Sequence, residues 1–474
     1  MSHSWIVYVL EMLTILIWVT TIVVVITENR NPVKTLAWVM VLVFLPLVGF
    51  ILYLLFGMDM RRMRMMGRRS MSRLLKEPLL NYRDHMVVDP PAPYAKLVSM
   101  MKKSCQATLL GGNNVKIFTD FSAMLHDMLV AIAQAHHHVH VQFYILEDDA
   151  VGRLLRDALI DKAKQGVVVR VLYDDVGSWK TKKEYFVMMQ QAGIEVCPFG
   201  EVKFAALARR VNYRNHRKVL IVDGEVGYVG GMNIAERYYR GLSWGTWRDT
   251  HIRIDGMAVN ALQTSFLADW YYATRRLISS PVYFPKVSRC GNTEMQIVTS
   301  RPMGEWKSIM QGLLQVISQS RRYLYIQTPY FLPTDPILMA LRNAALAGVD
   351  VRLMVPRRGD SLLADLASHS YYKEVMLAGV KIYQYESGYL HAKVVLADDD
   401  FVTIGSTNID FRSFEQNFEI NAFIYDPKVV KHMKRIFMDD LQNHSTRIAF
   451  AEWKQRPLWK RCTESLVRLL SPLL

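Results

Sequence analysis

Two stretches of this chain, "NHRKVLIVDG" (Asn215 to Gly224) and "LHAKVVLADD" (Leu390 to Asp399), each place a His and a Lys two residues apart, with an Asp five residues after the Lys. Side chains alternate faces along an extended strand, so His216 and Lys218 share one face while Asp223 takes the other; His391, Lys393 and Asp398 repeat the arrangement. Each stretch therefore offers an imidazole and an ammonium to one point. Asp223 and Asp398 complete the motif and belong to the catalytic set by position. Strand parity nevertheless gives them a structural part, as side-chain acceptors for backbone N–H groups in the turns "DGEVG" and "DDDFV".

A lone His-x-Lys carries little weight, because a strand histidine is usually a satisfied core or surface residue; two copies with one shared downstream pattern carry far more. After each turn a strand ends in "GGMN" or "GSTN". Glycine admits close backbone approach, and Asn233, Ser406 and Asn408 are candidate donors to an anionic substrate oxygen. Further on, Asp249 in "WRDTH" and Glu419 in "NFEIN" are candidates to accept a hydrogen bond from a histidine ring and so set its tautomer.

Two imidazoles and two ammonium groups around one point suit transfer at a phosphodiester. One His attacks phosphorus, and the other protonates the leaving alkoxide and then deprotonates the incoming alcohol. The lysines and asparagines hold the non-bridging oxygens, whose charge grows in the transition state. With that much positive charge supplied by side chains, the expected chemistry requires no metal and no other cofactor. The run His136 to His138 looks like metal chemistry, but its counterpart is Arg321, Arg322 and Tyr323 at the same helix-to-strand junction, where cations complement the helix dipole.

The elements that must position these groups occur twice. "AIAQAHHHVHVQFYILEDDAVGRLLRDALIDKAKQGVVVRVLYDD" and "QVISQSRRYLYIQTPYFLPTDPILMALRNAALAGVDVRLMVPRR" share one order of helix, buried strand ending in Gln, helix, Gly and buried strand. That alternation predicts an α/β domain present twice. From His216 to Arg237 the copies keep one offset, pairing Gly230 with Gly405, Asn233 with Asn408 and Arg237 with Arg412. The first copy has an extra "EVKFAALARR" (201–210) before its motif, a candidate lid or lipid-contacting loop.

The N-terminus sets the compartment. "WIVYVLEMLTILIWVTTIVVVIT" (Trp5 to Thr27) and "LAWVMVLVFLPLVGFILYLLF" (Leu36 to Phe56) are each long and apolar enough to cross about 30 Å of hydrocarbon, which predicts a two-helix membrane hairpin with the second helix kinked at Pro46. The linking loop holds Arg30 and Lys34, whereas Arg61, Arg62, Arg64, Arg68, Arg69, Arg73 and Lys76 follow the second span; this bias puts the rest of the chain in the cytoplasm. The N-terminus lacks the basic start and the small-residue cleavage site of a signal peptide. A net charge of +15 over 474 residues suits an anionic membrane surface or nucleic acid, and the four cysteines show no metal or disulfide spacing. The C-terminal "EWKQRPLWKRCTESLVRLLSPLL" is either an interfacial helix or one packed on the second domain.

The doubled His-x-Lys-x4-Asp motif, with "TPYFLPTD", "GSTNIDFRSFEQNFEIN" and the N-terminal apolar pair, resembles the phospholipase D superfamily and, within it, the bacterial cardiolipin synthases. The resemblance implies two tandem phospholipase D-like α/β sandwich domains related by pseudo-twofold symmetry, preceded by a two-helix transmembrane hairpin. The expected boundaries are 1–60 for the hairpin, 61–109 for a basic linker, 110–290 for the first domain and 291–474 for the second. It implies further that two phosphatidylglycerols give cardiolipin and glycerol through a phosphatidyl-histidine, with His216 as nucleophile and His391 as acid and base. The implied partners are anionic phospholipid and membrane rather than nucleic acid, at the bacterial inner membrane. The same two-motif chemistry serves phosphatidylserine synthases, lipid hydrolases and some nucleases, so a membrane-bound hydrolase or another phosphatidyltransferase is the enzymatic alternative. A non-catalytic lipid-binding scaffold is the other, against which both motifs stand complete.

Overall fold

The computed structural model describes residues 2–27, 32–53, 70–74, 76, 88–201 and 213–472. Helices α1 (Ser2–Thr27), α2 (Pro32–Phe44) and α3 (Pro46–Leu52) form one compact unit; residues 88–201 with 214–472 form another.

The stretch Val7–Thr27 of α1 is apolar and 21 residues long, enough at about 1.5 Å per residue to cross a bilayer core. Among the described residues no other helix reaches that length and apolarity. The second apolar run is broken where a single span is expected: Leu45 lies at φ −133° and ψ 67°, between α2 and α3. Pro46 explains the break, since its ring bars Leu45 from the helical region and it has no N–H to give the preceding turn. The Trp18 indole donates to the Leu42 carbonyl at 2.6 Å, and Val25, Leu42 and Tyr53 are buried together. The end of the predicted second span at 54–56, most of the basic run and nearly all of the 201–210 insertion lie outside the described residues.

The larger unit is built on one sheet. Its first half contains β1 (Leu110–Phe118), β2 (His138–Phe143), β3 (Val168–Asp174), β4 (Glu195–Phe199), β5 (Val219–Val222), β6 (Val226–Gly230), β7 (Thr246–Arg248) and β8 (His251–Asp255). The second contains β9 (Thr293–Ser300), β10 (Tyr323–Gln327), β11 (Phe331–Leu332), β12 (Asp350–Pro356), β13 (Lys381–Tyr385), β14 (Gly388–Leu390), β15 (Val394–Ala397), β16 (Phe401–Gly405), β17 (Ile409–Asp410), β18 (Glu419–Ile424) and β19 (Ser445–Arg447). Outward from the central β1–β9 pair the order is β1-β8-β6-β5-β2-β3-β4 on one side and β9-β18-β16-β15-β10-β12-β13-β19 on the other. Up to β13, the seven strands on each side follow one order, with β2 and β3 parallel like β10 and β12.

Central strands such as β2 and β10 are buried along their whole length, so both faces of the sheet need helical cover. On one face, helices Phe121–Ala133 and Ala150–Lys164 pack Met124, Leu155 and Leu159 against the first-half strands. Helix Ser308–Gln319 and its neighbours do the same for the second half, and helices Ala258–Thr274 and Pro427–His444 share a further core that joins strands of both halves. Asp120 and Asp149 cap the first two helices, accepting from the Ala123 and Gly152 amides at 2.8 and 2.9 Å.

Two short connections cross between the halves. β7 pairs in parallel with β14, and Asn215 bridges to Phe418. At the C-terminus, helix Leu458–Arg468 packs Val467 and the buried Glu464 against helix Leu362–Leu377, with Glu464 paired to Arg456 at 2.5 Å. Leu458, Trp459, Leu466 and Leu469 of the same segment stay exposed.

Candidate active site

The cross-connections bring the two motifs together. His216 lies just ahead of β5, where its N–H donates to the Phe418 carbonyl at 3.0 Å; His391 follows β14, and its N–H donates to the Arg248 carbonyl at 2.7 Å. Each histidine is thus tied to the residue next to the other half's acid. His216 Nδ1 lies 3.0 and 3.2 Å from the two carboxylate oxygens of Glu419, and His391 Nδ1 lies 2.6 Å from Asp249 Oδ2. With Nδ1–H donated to a carboxylate, the Nε2 lone pair is left for chemistry on both rings.

The electrostatics follow from burial. Desolvation holds both histidines at about 4, against the pull of Glu419 on His216 and of Asp249 on His391, so both rings are neutral at pH 7. Lys218 donates to the His216 carbonyl at 2.6 Å, and Lys393 donates to the His391 carbonyl. Burial pulls Lys393 down to about 8 and Lys218 well below the usual lysine range. Burial raises both Asp249 and Glu419, but Lys393 and His391 outweigh it at Asp249, as His216 and Lys218 do at Glu419. Each lysine acts on both histidines, so the groups form one cluster.

A cavity of about 530 Å³ opens onto this cluster, lined by His216 and His391 with Tyr144, Trp247, Tyr330 and Arg412 among others. Tyr144 meets the His216 ring edge-on at 5.0 Å, and Trp247 meets His391 at 5.3 Å between centroids. Burial raises the Tyr144 phenol. Asn233 and Asn408 also line the cavity, but their amides are engaged differently. Asn233 accepts from the Ile145 amide at 3.1 Å and donates to the Tyr238 hydroxyl at 2.5 Å, whereas Asn408 Oδ1 is buried with no partner among the described residues.

Ser406 differs from its expected place as a donor to substrate. It is not part of the cavity lining; its hydroxyl donates to the Glu419 carboxylate and accepts from the Ile420 amide at 3.0 Å. The matching position in the first half is Gly231, where a Cβ would stand 2.1 Å from Asp249 Oδ1. Serine with Glu419 and glycine with Asp249 are thus two solutions to one problem: seating a buried carboxylate behind a histidine. The expected close approach of this glycine is to the acid rather than to substrate.

Asp223 and Asp398, grouped with the catalytic residues by the motif, stand outside the cavity lining. Asp223 accepts from the His136, His137 and His138 amides, each at 2.8 Å. Asp398 does the same for Arg321, Arg322 and Tyr323 at 2.7, 2.8 and 3.1 Å. Their backbones lie at φ 52° and 54°, a region Asp tolerates better than most residues. The correction is to the partner: each Asp pins the junction before β2 or β10 rather than its own turn. The three-histidine run contributes backbone amides here, as its Arg-Arg-Tyr counterpart does.

Tyr144, Trp247 and Asn417 carry no sequence signal, because only the cross-connections bring them to the histidines. Arg237 and Arg412 mark the repeat register in the sequence, and the structure puts both on the cavity wall.

The family model described as cardiolipin synthase, PLD-like domain, matches residues 128–270 and 313–441, and that described as phospholipase D-nuclease N-terminal matches residues 16–57. The major cardiolipin synthase of Bacillus subtilis is 42% identical over 469 residues, covering 96% of each chain. Cardiolipin synthase 2 of Bacillus anthracis is 41% identical over 95% of this chain and 89% of its own, and the cardiolipin synthase of Halalkalibacterium halodurans 38% identical over all of this chain and 95% of its own. The crystal structure of phosphatidylserine synthase from Haemophilus influenzae aligns over 80% of this chain and all of its own with a TM-score of 0.62; at 14% identity that likeness concerns the fold alone. The chain belongs to the cardiolipin synthases of the phospholipase D superfamily, a family of phosphatidyltransferases.

Proposed function

We propose that the protein joins two phosphatidylglycerol molecules into cardiolipin and releases glycerol, with His216 as nucleophile and His391 as acid and base. His216 Nε2 attacks the donor phosphorus, the P–O bond to glycerol breaks, and His391 gives its proton to the leaving oxygen. Because both rings rest neutral, the entering phosphodiester anion must raise the His391 affinity for a proton before it can donate one. His391 then takes the proton of a second phosphatidylglycerol hydroxyl, that oxygen attacks phosphorus, and the P–N bond to His216 breaks. Glu419 stabilises the charge His216 gains, Asp249 does so for His391, and Lys218 and Lys393 supply the positive field behind the phosphate.

The observation that carries this reading is the crosswise pairing of each histidine with the other half's acid at one cavity. The matching strand order on either side of β1 and β9 supports two domains, 110–290 and 291–474, related by a pseudo-twofold axis. Residues 1–60 form the membrane hairpin in this reading, with 61–109 a basic linker and the catalytic domains on the cytoplasmic side of the bacterial inner membrane. The length of α1 and the charge bias of the flanking loops support that orientation. Anchoring holds enzyme and lipid on one surface, which favours phospholipid over nucleic acid as substrate. Purified full-length protein incubated with phosphatidylglycerol vesicles should yield cardiolipin and glycerol in equal amounts. Phosphatidic acid as the sole lipid product would make it a hydrolase instead.

A further inference from the structure

The two halves of the cavity differ in charge at one matched pair of residues. Arg237 and Arg412 occupy the same place in the repeat, and both line the cavity. In the first half, Arg237 pairs with Glu147 at 3.0 Å. The parallel bridge Leu146 with Ile234 matches the pairing of Phe331 with Ile409, so the residue equivalent to Glu147 is Leu332. Arg412 has no carboxylate there, and among the described residues its side chain makes no ion pair.

Two orphaned acceptors line the same cavity. Asn417 donates its Nδ2 to Glu419 at 3.2 Å, which turns Oδ1 the other way, and that oxygen is buried without a partner among the described residues. Asn408 is likewise left with an unpartnered Oδ1. Asn417 and Arg412 sit on one turn, joined by a 2.9 Å backbone bond. A free cation beside two free acceptors suits a ligand with an anionic oxygen and hydroxyl donors a few bonds apart. Water alone does not explain a half-buried guanidinium that, among the described residues, forms no ion pair even with Asp360 and Asp410 on the same cavity wall.

We infer that Arg412, with the Oδ1 atoms of Asn408 and Asn417, forms a second phosphodiester subsite that binds the headgroup of the acceptor phosphatidylglycerol. This rests on the proposed synthase reaction. The donor's phosphate is the reacting one, held at the histidines; only the acceptor brings a second phosphate, three carbons from its attacking hydroxyl. Free glycerol and water lack that anion, so Arg412 selects the lipid acceptor over them.

The test compares two acceptors for one phosphatidyl-enzyme. Full-length protein in phosphatidylglycerol proteoliposomes is supplied with labelled glycerol; cardiolipin formation and incorporation of label into phosphatidylglycerol are measured together. Arg412→Gln should lower the ratio of cardiolipin to exchange at least about tenfold, the scale of one lost charge-assisted contact. Arg412→Lys should recover part of it. Leu332→Glu, which gives Arg412 the partner that Arg237 already has, should shift the ratio the same way and serves as the test if Arg412→Gln does not fold. Parallel loss of both activities with an unchanged ratio, in either variant, would overturn the subsite. Absence of cardiolipin from the unaltered protein would instead sink the synthase reading.

Discussion

Glu419→Gln isolates the electrostatic part of the mechanism with little change in shape. In the proposed mechanism the His216 ring becomes cationic as it bonds to phosphorus, 3.0 Å from the carboxylate. At an effective dielectric of about 20, a full charge pair at that distance is worth about 5 kcal/mol. Gln keeps one neutral hydrogen bond, worth about 1 kcal/mol. The difference, about 4 kcal/mol, predicts a fall of about a thousandfold in the first chemical step. Rapid-mixing measurement of glycerol release in a single turnover reports that step directly. Asp249→Asn is the control: it weakens His391, which acts in both halves of the cycle, so transfer to the acceptor should slow as well as glycerol release. Lipid binding should hold in both variants, since neither acid lines the cavity. Glycerol release within about tenfold of normal in Glu419→Gln would refute the argument that a buried carboxylate stabilises charge developing on His216.

Other consequences are testable separately. His216→Ala should abolish acid-trapped phosphatidyl-enzyme, and an adduct persisting on His391 would reverse the assigned roles. Lys393, held at about 8 by burial, is charged below that pH and loses its proton above it, so kcat/KM should decline as pH rises through about 8. Lys393→Arg, which does not titrate there, should remove that limb even if it slows the enzyme; a limb left in place belongs to another group. Burial raises the Asp223 carboxyl, but its three backbone bonds outweigh that and hold it below the usual range. Its stabilisation is therefore complete above about pH 4 and lost as pH falls through the depressed native value. Asp223→Asn should cost about 2 kcal/mol after discounting for partial exposure, visible as faster hydrogen exchange at residues 136–138, with the gap to the unaltered protein closing in acid.

The paired histidines are legible in the sequence because duplication repeats His216, Lys218 and Asn233 at one constant offset. Strand parity also separates Asp223 and Asp398 from the reacting groups. The bonding partners are not legible. Glu419 is 203 residues from His216 and Asp249 is 142 from His391, and which acid serves which ring depends on the β7–β14 pairing and the Asn215–Phe418 bridge. Nothing local encodes either crossing. Ser406 fails as a substrate donor for a related reason: a serine after a strand glycine can face a ligand or a buried acid, and only the position of Glu419 decides. The kink expected at Pro46 is local and therefore readable, since Pro46 acts on its immediate neighbour, whereas the full break at Leu45 goes beyond the single kinked span that the sequence predicts.

The crosswise pairing makes each half of the sheet depend on the other. Each half carries a His, a Lys and an acid of its own, enough in principle to orient its own ring. The observed pairing leaves neither half able to do so: His216 without Glu419 has no partner at Nδ1, and Glu419 without His216 is a carboxylate with no exposed side-chain surface. Each pairing is a hydrogen bond from a neutral ring to a buried carboxylate, worth about 1.5–3 kcal/mol, and separating the halves would break two. The contacts that orient the histidines therefore also hold the two halves of the sheet together. Reactivity and association depend on the same bonds, so a chain with its halves undocked has no oriented nucleophile to offer a phosphodiester.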